Sequence, residues 1–293
     1  MRVRRIEATH LHRVQASAGE GPIWDARAGV LWFVDIPSQT VHRLNPDSGT
    51  RSSWQAPSKV GWVAPAAGGD LIAGLAHGLY RFSPASGNFA LLQAVETTLP
   101  GNRINDGVVD RLGRVWFGTM SEVEQAPSGH FYRFDGRSVE DTGIPPMRIT
   151  NGPAVSPDCR TLYVVDTLAG TVTAYLVSEN GTPREPWPFL KVAPSDGVPD
   201  GVTCDSEGGV WLGLWGGWAA RRYDAFGALT DEVRFPVANV TKVALGGVDG
   251  RTAYATTACE GLNADLGQQP LAGDVFTFRV LTPGIEAPEV ALG

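Results

Sequence analysis

The sequence predicts an all-β fold, a six-bladed β-propeller with four-stranded antiparallel blades around a central channel. Three observations predict it. A short apolar strand recurs six times at near-constant spacing, a turn rich in Gly, Asp or Ser precedes most copies, and a second strand follows each. The copies are Leu31-Trp32-Phe33-Val34, Leu71-Ile72-Ala73-Gly74, Val115-Trp116-Phe117-Gly118, Leu162-Tyr163-Val164-Val165, Val210-Trp211-Leu212-Gly213 and Ala253-Tyr254-Ala255-Thr256. Their second residues fall at 32, 72, 116, 163, 211 and 254, at intervals of 40, 44, 47, 48 and 43. Repeats of about 40–50 residues that each hold several short strands are the signature of a propeller.

The turns come in the same order as the strands. They are Asp25 to Gly29, Gly68-Gly69-Asp70, Asp110 to Gly113, Ser156-Pro157-Asp158, Asp205 to Gly209 and Asp249-Gly250. Such residues make hairpin turns because glycine takes positive φ freely and Asp or Ser side chains bond their own backbone. The second strands end on Leu44, Phe82, Phe134, Tyr175, Tyr223 and Phe278. Leu79-Tyr80-Arg81-Phe82 and Phe131-Tyr132-Arg133-Phe134 alternate as half-buried strands do. No stretch keeps a capped 3.6-residue period, so residues 1–293 read as one all-β domain, with a β-sandwich or a two-domain chain as the alternative.

Composition bounds the function. The 293 residues are 43% apolar and 19% charged, ordinary for a globular chain with a sizeable core. Thirty-six glycines and 21 prolines exceed what a helical bundle tolerates. A net charge of −7 opposes nucleic-acid binding, which needs clustered cations. The longest apolar run, Gly208 to Ala220, falls short of the ~20 residues of a membrane helix. Arg2, Arg4 and Arg5 precede no apolar stretch, so no signal peptide is expected. Cys159, Cys204 and Cys259 are odd in number and widely spaced, giving neither a disulfide framework nor a zinc pattern. The expectation is a reducing, cytoplasmic location with no membrane and no nucleic-acid partner.

In a propeller the innermost strands line the channel, and ligands gather where those strands begin. Twelve residues before the anchors stand Glu20, Val60, Asn151 and Lys242, and eleven before stand Asn105 and Asp200. Glycine follows closely in Glu20-Gly21, Asn105-Asp106-Gly107, Asn151-Gly152 and Asp200-Gly201, which lets the backbone turn sharply toward a ligand. Any one Asp-Gly or Asn-Gly reads as a plain turn. Their coincidence at matched repeat positions reads as a site. Carboxylate and carboxamide oxygens are hard ligands that suit Ca²⁺, Mg²⁺ or Mn²⁺, and less well Fe²⁺ or Zn²⁺.

These residues carry a resemblance. Gly19-Glu20-Gly21-Pro22, Asn102-Arg103-Ile104-Asn105-Asp106-Gly107, Trp116-Phe117-Gly118-Thr119-Met120, Thr150-Asn151-Gly152-Pro153 and Pro199-Asp200-Gly201 resemble the gluconolactonase, senescence-marker-protein and luciferin-regenerating-enzyme family over about residues 16 to 280. The resemblance implies one divalent metal at the channel mouth and hydrolysis of sugar lactones. It carries the metal ligands to Glu20, Asn151 and Asp200, and the substrate contacts to Arg103 and Asn105. In some members an acidic residue shortly after Gly-Thr-Met also touches substrate. In direct register that position is Val123, so the candidate is Glu122, one residue earlier.

Other chemistries are absent from the sequence. There is no Gly-x-Ser-x-Gly elbow, Gly-Lys pair or Gly-x-Gly-x-x-Gly. None of His10, His12, His42, His77 and His130 has zinc-helix spacing, and the first two sit near a start that looks disordered. His77 and Trp215 read as packing residues. The expected function is a metal-dependent hydrolase opening an aldonolactone, such as a xylono-, arabino-, galactono- or gluconolactone. In it Asp200 moves the proton, and Arg103 and Asn105 orient the substrate. A same-fold enzyme on another ester, phosphotriesterase-like or strictosidine-synthase-like, and a non-catalytic binding propeller remain as alternatives.

Overall fold

The computed structural model describes residues 2–262 and 265–292. Six sheets are strung along the chain. The first comprises Gly19–Asp25, Val30–Asp35, Thr40–Leu44 and Arg51–Gln55, innermost strand first. The second runs Val60–Pro65, Leu71–Leu75, Gly78–Ser83 and Asn88–Ala94. The third is Asn102–Val109, Val115–Ser121, Phe131–Phe134 and Val139–Asp141, and the fourth Thr150–Val155, Thr161–Asp166, Thr171–Val177 and Pro183–Lys191. The fifth holds Val198–Cys204, Val210–Trp215, Ala219–Tyr223 and Leu229–Arg234. The sixth holds Asn239–Gly246, Thr252–Ala258 and Val275–Arg279, and takes its outer strand, Thr9–His12, from the start of the chain. Helix is confined, among the described residues, to two short 3-10 turns.

All six anchors lie in the second strand of a blade. Each pairs with an inner-strand residue: Trp32 with Ile23, Ile72 with Ala64, Trp116 with Val108, Tyr163 with Ala154, Trp211 with Thr203 and Tyr254 with Ala244. The repeat therefore marks structurally equivalent positions. Two details depart from the expectation. The fifth blade gains a fifth strand, Arg4–Glu7, parallel to Leu229–Arg234, with Arg4 bonded to Asp231 at 2.5 Å. The chain start is also ordered, because His10 and His12 lie in the closing strand and His10 Nε2 meets Asp274 Oδ2 at 2.9 Å.

The core is divided among the six seams between blades. Trp32 and Val34 pack on Val60 and Leu71, Trp62 and Ile72 on Val115 and Phe117, and Trp116 and Phe131 on Leu162 and Val164. Tyr163 and Val165 meet Val210 and Leu212, Trp211 and Val233 meet Val243 and Phe276, and Tyr254 and Val275 meet Leu31 and Phe33. Each fully buried Phe, Leu or Val contributes about 1.5–3 kcal/mol. The seams hold the inner strands around the channel.

Inner strands begin at one end of the channel and finish at the other. Where they finish, Trp24, Val109, Cys204 and Leu245 surround a cavity of about 100 Å³. The end of the chain crosses this mouth. Gly284 bridges to Asp205, Ile285 to Ala287 line the cavity, and Val290 bridges to Ala66 and is fully buried. At the other end, where the strands begin, Glu20, Asn105, Asn151 and Asp200 are buried.

Candidate active site

Every inner strand breaks its ladder register once near its start. The breaks fall between Glu20 and Ile23, Val60 and Trp62, Ile104 and Gly107, Asn151 and Ala154, Pro199 and Val202, and Val240 and Lys242. Residues inserted at such a bulge leave the regular pleat and re-aim their side chains. Glu20 and Asn151 are the last paired residues before their breaks, whereas Asn105, Asp106 and Asp200 lie inside theirs. The offsets of twelve and eleven residues therefore separate Glu20 and Asn151 from Asn105 and Asp200, while Lys242, also at twelve, is the first paired residue after its break. Gly21 (φ 54°) and Gly152 (φ 69°) take the first turn of their bulges in a conformation that a Cβ disfavours.

The side chains so aimed form one connected group. Arg103 Nη1 donates to Asn105 Oδ1 at 2.6 Å and to the Ile104 carbonyl at 3.1 Å. Asn105 Nδ2 donates to Asn151 Oδ1 at 3.0 Å and to the Thr150 carbonyl at 2.8 Å. Asn151 Nδ2 donates in turn to Thr167 Oγ1 at 2.9 Å. Lys242 Nζ donates to both oxygens of Asp106, at 2.7 and 2.8 Å. At the rim Glu122 accepts from Lys59 Nζ at 2.5 Å and stands 3.7 Å from Arg103 Nε. Val123 is 69% exposed, so of the two neighbours it is Glu122 that reaches the arginine.

Burial dominates the electrostatics. Glu20, Asp106 and Asp200 are 7%, 2% and 6% exposed. Burial, and then the charge of Asp106, push the Glu20 carboxyl up to about 8, against the pull of Lys242, the Gly21 N–H and Arg103. Asp200 is raised well above the usual carboxylate range by burial, then by Glu20 and Asp106. Burial raises Asp106 too, with Lys242 opposing it. Burial lowers the Arg103 guanidinium, with Glu122 the main opposing charge. Three carboxylates are crowded where a proton is the cheapest relief, and a cation relieves the same repulsion.

The donors fit a hard divalent ion. Among the described residues, no side-chain donor reaches Glu20 or Asp200, and Glu20 Oε2 accepts only the Gly21 N–H at 2.8 Å. Asn151 Oδ1 accepts one bond and keeps a second lone pair. Among the described residues no three His, Cys, Asp or Glu side chains suffice alone to hold an ion. The amide oxygen of Asn151 is the candidate third donor, since Asp106 is spent on Lys242.

The sequence profile of the SMP-30/gluconolactonase/LRE-like region matches residues 18–259. The chain belongs to this family. Two curated relatives are each 34% identical. One, 6-deoxy-6-sulfogluconolactonase of Pseudomonas putida, aligns over 92% of this chain and 94% of its own. The other, L-arabinolactonase of Azospirillum brasilense, aligns over 97% and 96%. Among solved structures, regucalcin of Agrobacterium tumefaciens, described as a calcium-binding protein, superposes with a TM-score of 0.94 at 27% identity and covers 99% of both chains.

Within this family frame, Arg103, Asn105 and Asn151 are joined by hydrogen bonds, Glu20 and Asp200 sense each other's charge, and Glu122 stands at the rim. Asn105 spends both amide hydrogens on Asn151 and Thr150, and its oxygen, which accepts from Arg103, keeps a second lone pair. Trp215 packs as expected, against the seam of the first two blades, but His77 is exposed on a hairpin turn. Sequence reasoning missed the pairing of Asp106 with Lys242. The signal was present, for Lys242 holds the twelve-residue offset in the sixth blade.

Proposed function

We propose that the chain is a divalent-metal-dependent lactonase that opens a sugar lactone to the sugar acid. The observation that carries this reading is the pair of buried carboxylates, Glu20 and Asp200, without side-chain donors beside the Asn151–Asn105–Arg103 chain. The lactonase names of its family relatives support the reaction class. Glu20, Asn151 and Asp200 would hold the ion, and the ion would supply Lewis acidity toward the ester carbonyl.

The chain's own groups do the rest. Arg103 orients the carbonyl or ring hydroxyls and offsets the negative charge that grows on the carbonyl oxygen. Asn105 keeps Arg103 and Asn151 in register and has one oxygen lone pair left for the substrate. A carboxylate oxygen of Asp200 takes a proton from the attacking water as the carbon–oxygen bond forms. It returns that proton to the ring oxygen as the ring bond breaks. Glu122 closes the rim beside Arg103 and is placed to accept a sugar hydroxyl.

The test is prolonged chelation, elemental analysis, then titration of acid release from xylono-, arabino-, galactono- and gluconolactones with Mg²⁺, Ca²⁺, Mn²⁺, Zn²⁺ or Fe²⁺ restored singly. Activity should vanish on stripping and return with an ion. Full turnover in verified metal-free protein defeats the metal requirement. Failure of every lactone with every ion defeats the lactonase reading.

A further inference from the structure

We propose that Lys242 is a positioning residue that, through its bridge to Asp106, ties together the strands carrying the candidate metal ligands and the substrate arm. The proposal rests on the metal site read above and adds a residue to it. Lys242 starts on the inner strand of the sixth blade and is only 4% exposed. Its stem lies across the fifth blade, since a methyl group on Gly201 would stand 2.6–2.7 Å from Lys242 Cβ, Cγ and Cδ. Gly201 has no side chain because that space is filled by the lysine. The backbone so covered is the one that carries Asp200.

The tip of Lys242 reaches the third blade. Its Nζ grips both oxygens of Asp106 and lies 3.4 Å from the Gly107 carbonyl. Asp106 follows Asn105 directly and also accepts the Gly107 N–H at 2.7 Å. One ammonium–carboxylate pair thus links the sixth, fifth and third blades at the residues beside Asp200 and Asn105, and Asn105 in turn bonds Asn151. It lies beneath the site, because Lys242 and Gly107 also line the cavity at the other end of the channel. Groups that orient ligands from behind characteristically set metal affinity.

Charge and position make opposite predictions here. A lysine acting only by charge repels a divalent ion, so Lys242→Met should tighten binding. A lysine acting by position loosens the site when it is lost. The double variant Lys242→Met/Asp106→Asn removes one charge of each sign and leaves no unpaired carboxylate, so it isolates position.

Mn²⁺ alone is the probe, titrated into metal-stripped full-length protein with free ion read by electron paramagnetic resonance, beside thermal unfolding and lactone kinetics. The expected result is a double variant that unfolds near the wild-type temperature yet binds Mn²⁺ about 10–100-fold more weakly, with kcat reduced on the same scale. A folded double variant with wild-type Mn²⁺ affinity and kcat overturns the proposal. Should that variant not fold, Gly201→Ala decides, since its methyl displaces the lysine stem from the Asp200 strand. Unchanged Mn²⁺ affinity in folded Gly201→Ala overturns the proposal, and a weaker one supports it. Wild-type protein that binds no Mn²⁺ overturns both this inference and the metal site. Wild-type protein that binds Mn²⁺ but opens no lactone removes only the proposed reaction, and the Mn²⁺ comparison still stands.

Discussion

Asn105 Nδ2 and Asn151 Oδ1 share a hydrogen bond of 3.0 Å, and this bond orients the amide whose oxygen is the candidate third ligand. Thr167 fixes the other end by accepting from Asn151 Nδ2 at 2.9 Å. While both bonds hold, the amide cannot exchange its oxygen and nitrogen. Arg103 belongs to the same chain, because it donates to the oxygen of Asn105. The candidate substrate arm and the candidate metal ligand are therefore one hydrogen-bonded unit.

Asn105→Ala should accordingly affect the ion as well as the substrate. The variant frees the Asn151 amide to rotate and removes the acceptor that holds Arg103. A loss of about 10–100-fold in divalent-ion affinity or activity is expected for such a supporting group. Titration of stripped protein with Mn²⁺ checks it. Unaltered affinity with a raised KM would make Asn105 a direct substrate contact instead.

Arg103→Ala should raise KM and lower kcat together, because the arginine is proposed both to bind substrate and to offset developing charge. Arg103→Lys should rescue little. A lysine carries the charge, but it lacks the second edge that Arg103 turns through Nε toward Glu122, 3.7 Å away, while Nη1 holds Asn105 Oδ1 and the Ile104 carbonyl. Steady-state kinetics on one accepted lactone decide it, and a variant changed in KM alone would restrict Arg103 to binding.

The propeller was legible because it repeats. Trp32, Ile72, Trp116, Tyr163, Trp211 and Tyr254 each mark the same ladder position, and counting back from them reaches the mouth of the channel. Even the bulges left a trace, as the one-residue difference between the Glu20 and Asp200 offsets. What repeats do not encode was hidden. Lys242 and Asp106 are 136 positions apart and Arg4 and Asp231 are 227 apart, and neither pair has a counterpart in another blade that would announce it. The crossing of Gly284 to Val290 over the far mouth likewise has no counterpart among the described residues. Glu122 was undecidable by register, since a strand end can turn either neighbour toward Arg103.

His42 gives the fold a pH dependence separate from the site. Its ring is buried, 4.8 Å from Phe33, and its Nδ1 meets Ser53 Oγ at 2.8 Å. Burial, and then the charge of Arg51, lower it from 6.5 to about 4. Above pH 6.5 the ring is neutral in both folded and unfolded chains, and its full contribution is present. Between 6.5 and about 4 the unfolded chain binds the extra proton, so stability falls as pH falls through this window. At pH 5 the loss is about 2 kcal/mol. Denaturant unfolding of wild type and His42→Gln at pH 7 and pH 5 measures it as a difference of differences. The wild type should lose more, and equal losses in the two proteins reject the assignment.

Asp200 is proposed as both ligand and proton carrier, and Asp200→Asn separates the two. The amide keeps an oxygen that can coordinate, so an ion should still bind, although more weakly. It loses the carboxylate that takes the proton, so the chemistry should suffer more than the occupancy. General acid–base catalysis is typically worth 10²–10⁴-fold, and a fall in kcat of about that size is expected at saturating metal. The same substitution should stabilise the metal-free protein, because it removes one of three buried carboxylates that repel one another. A residue that merely shaped the bulge before Gly201 would behave differently. Asn forms such turns as readily as Asp, so turnover would be nearly unchanged. Measuring kcat at several ion concentrations, with the unfolding temperature of the stripped variant, distinguishes these cases. Near-wild-type turnover with the ion bound would take the proton step away from Asp200.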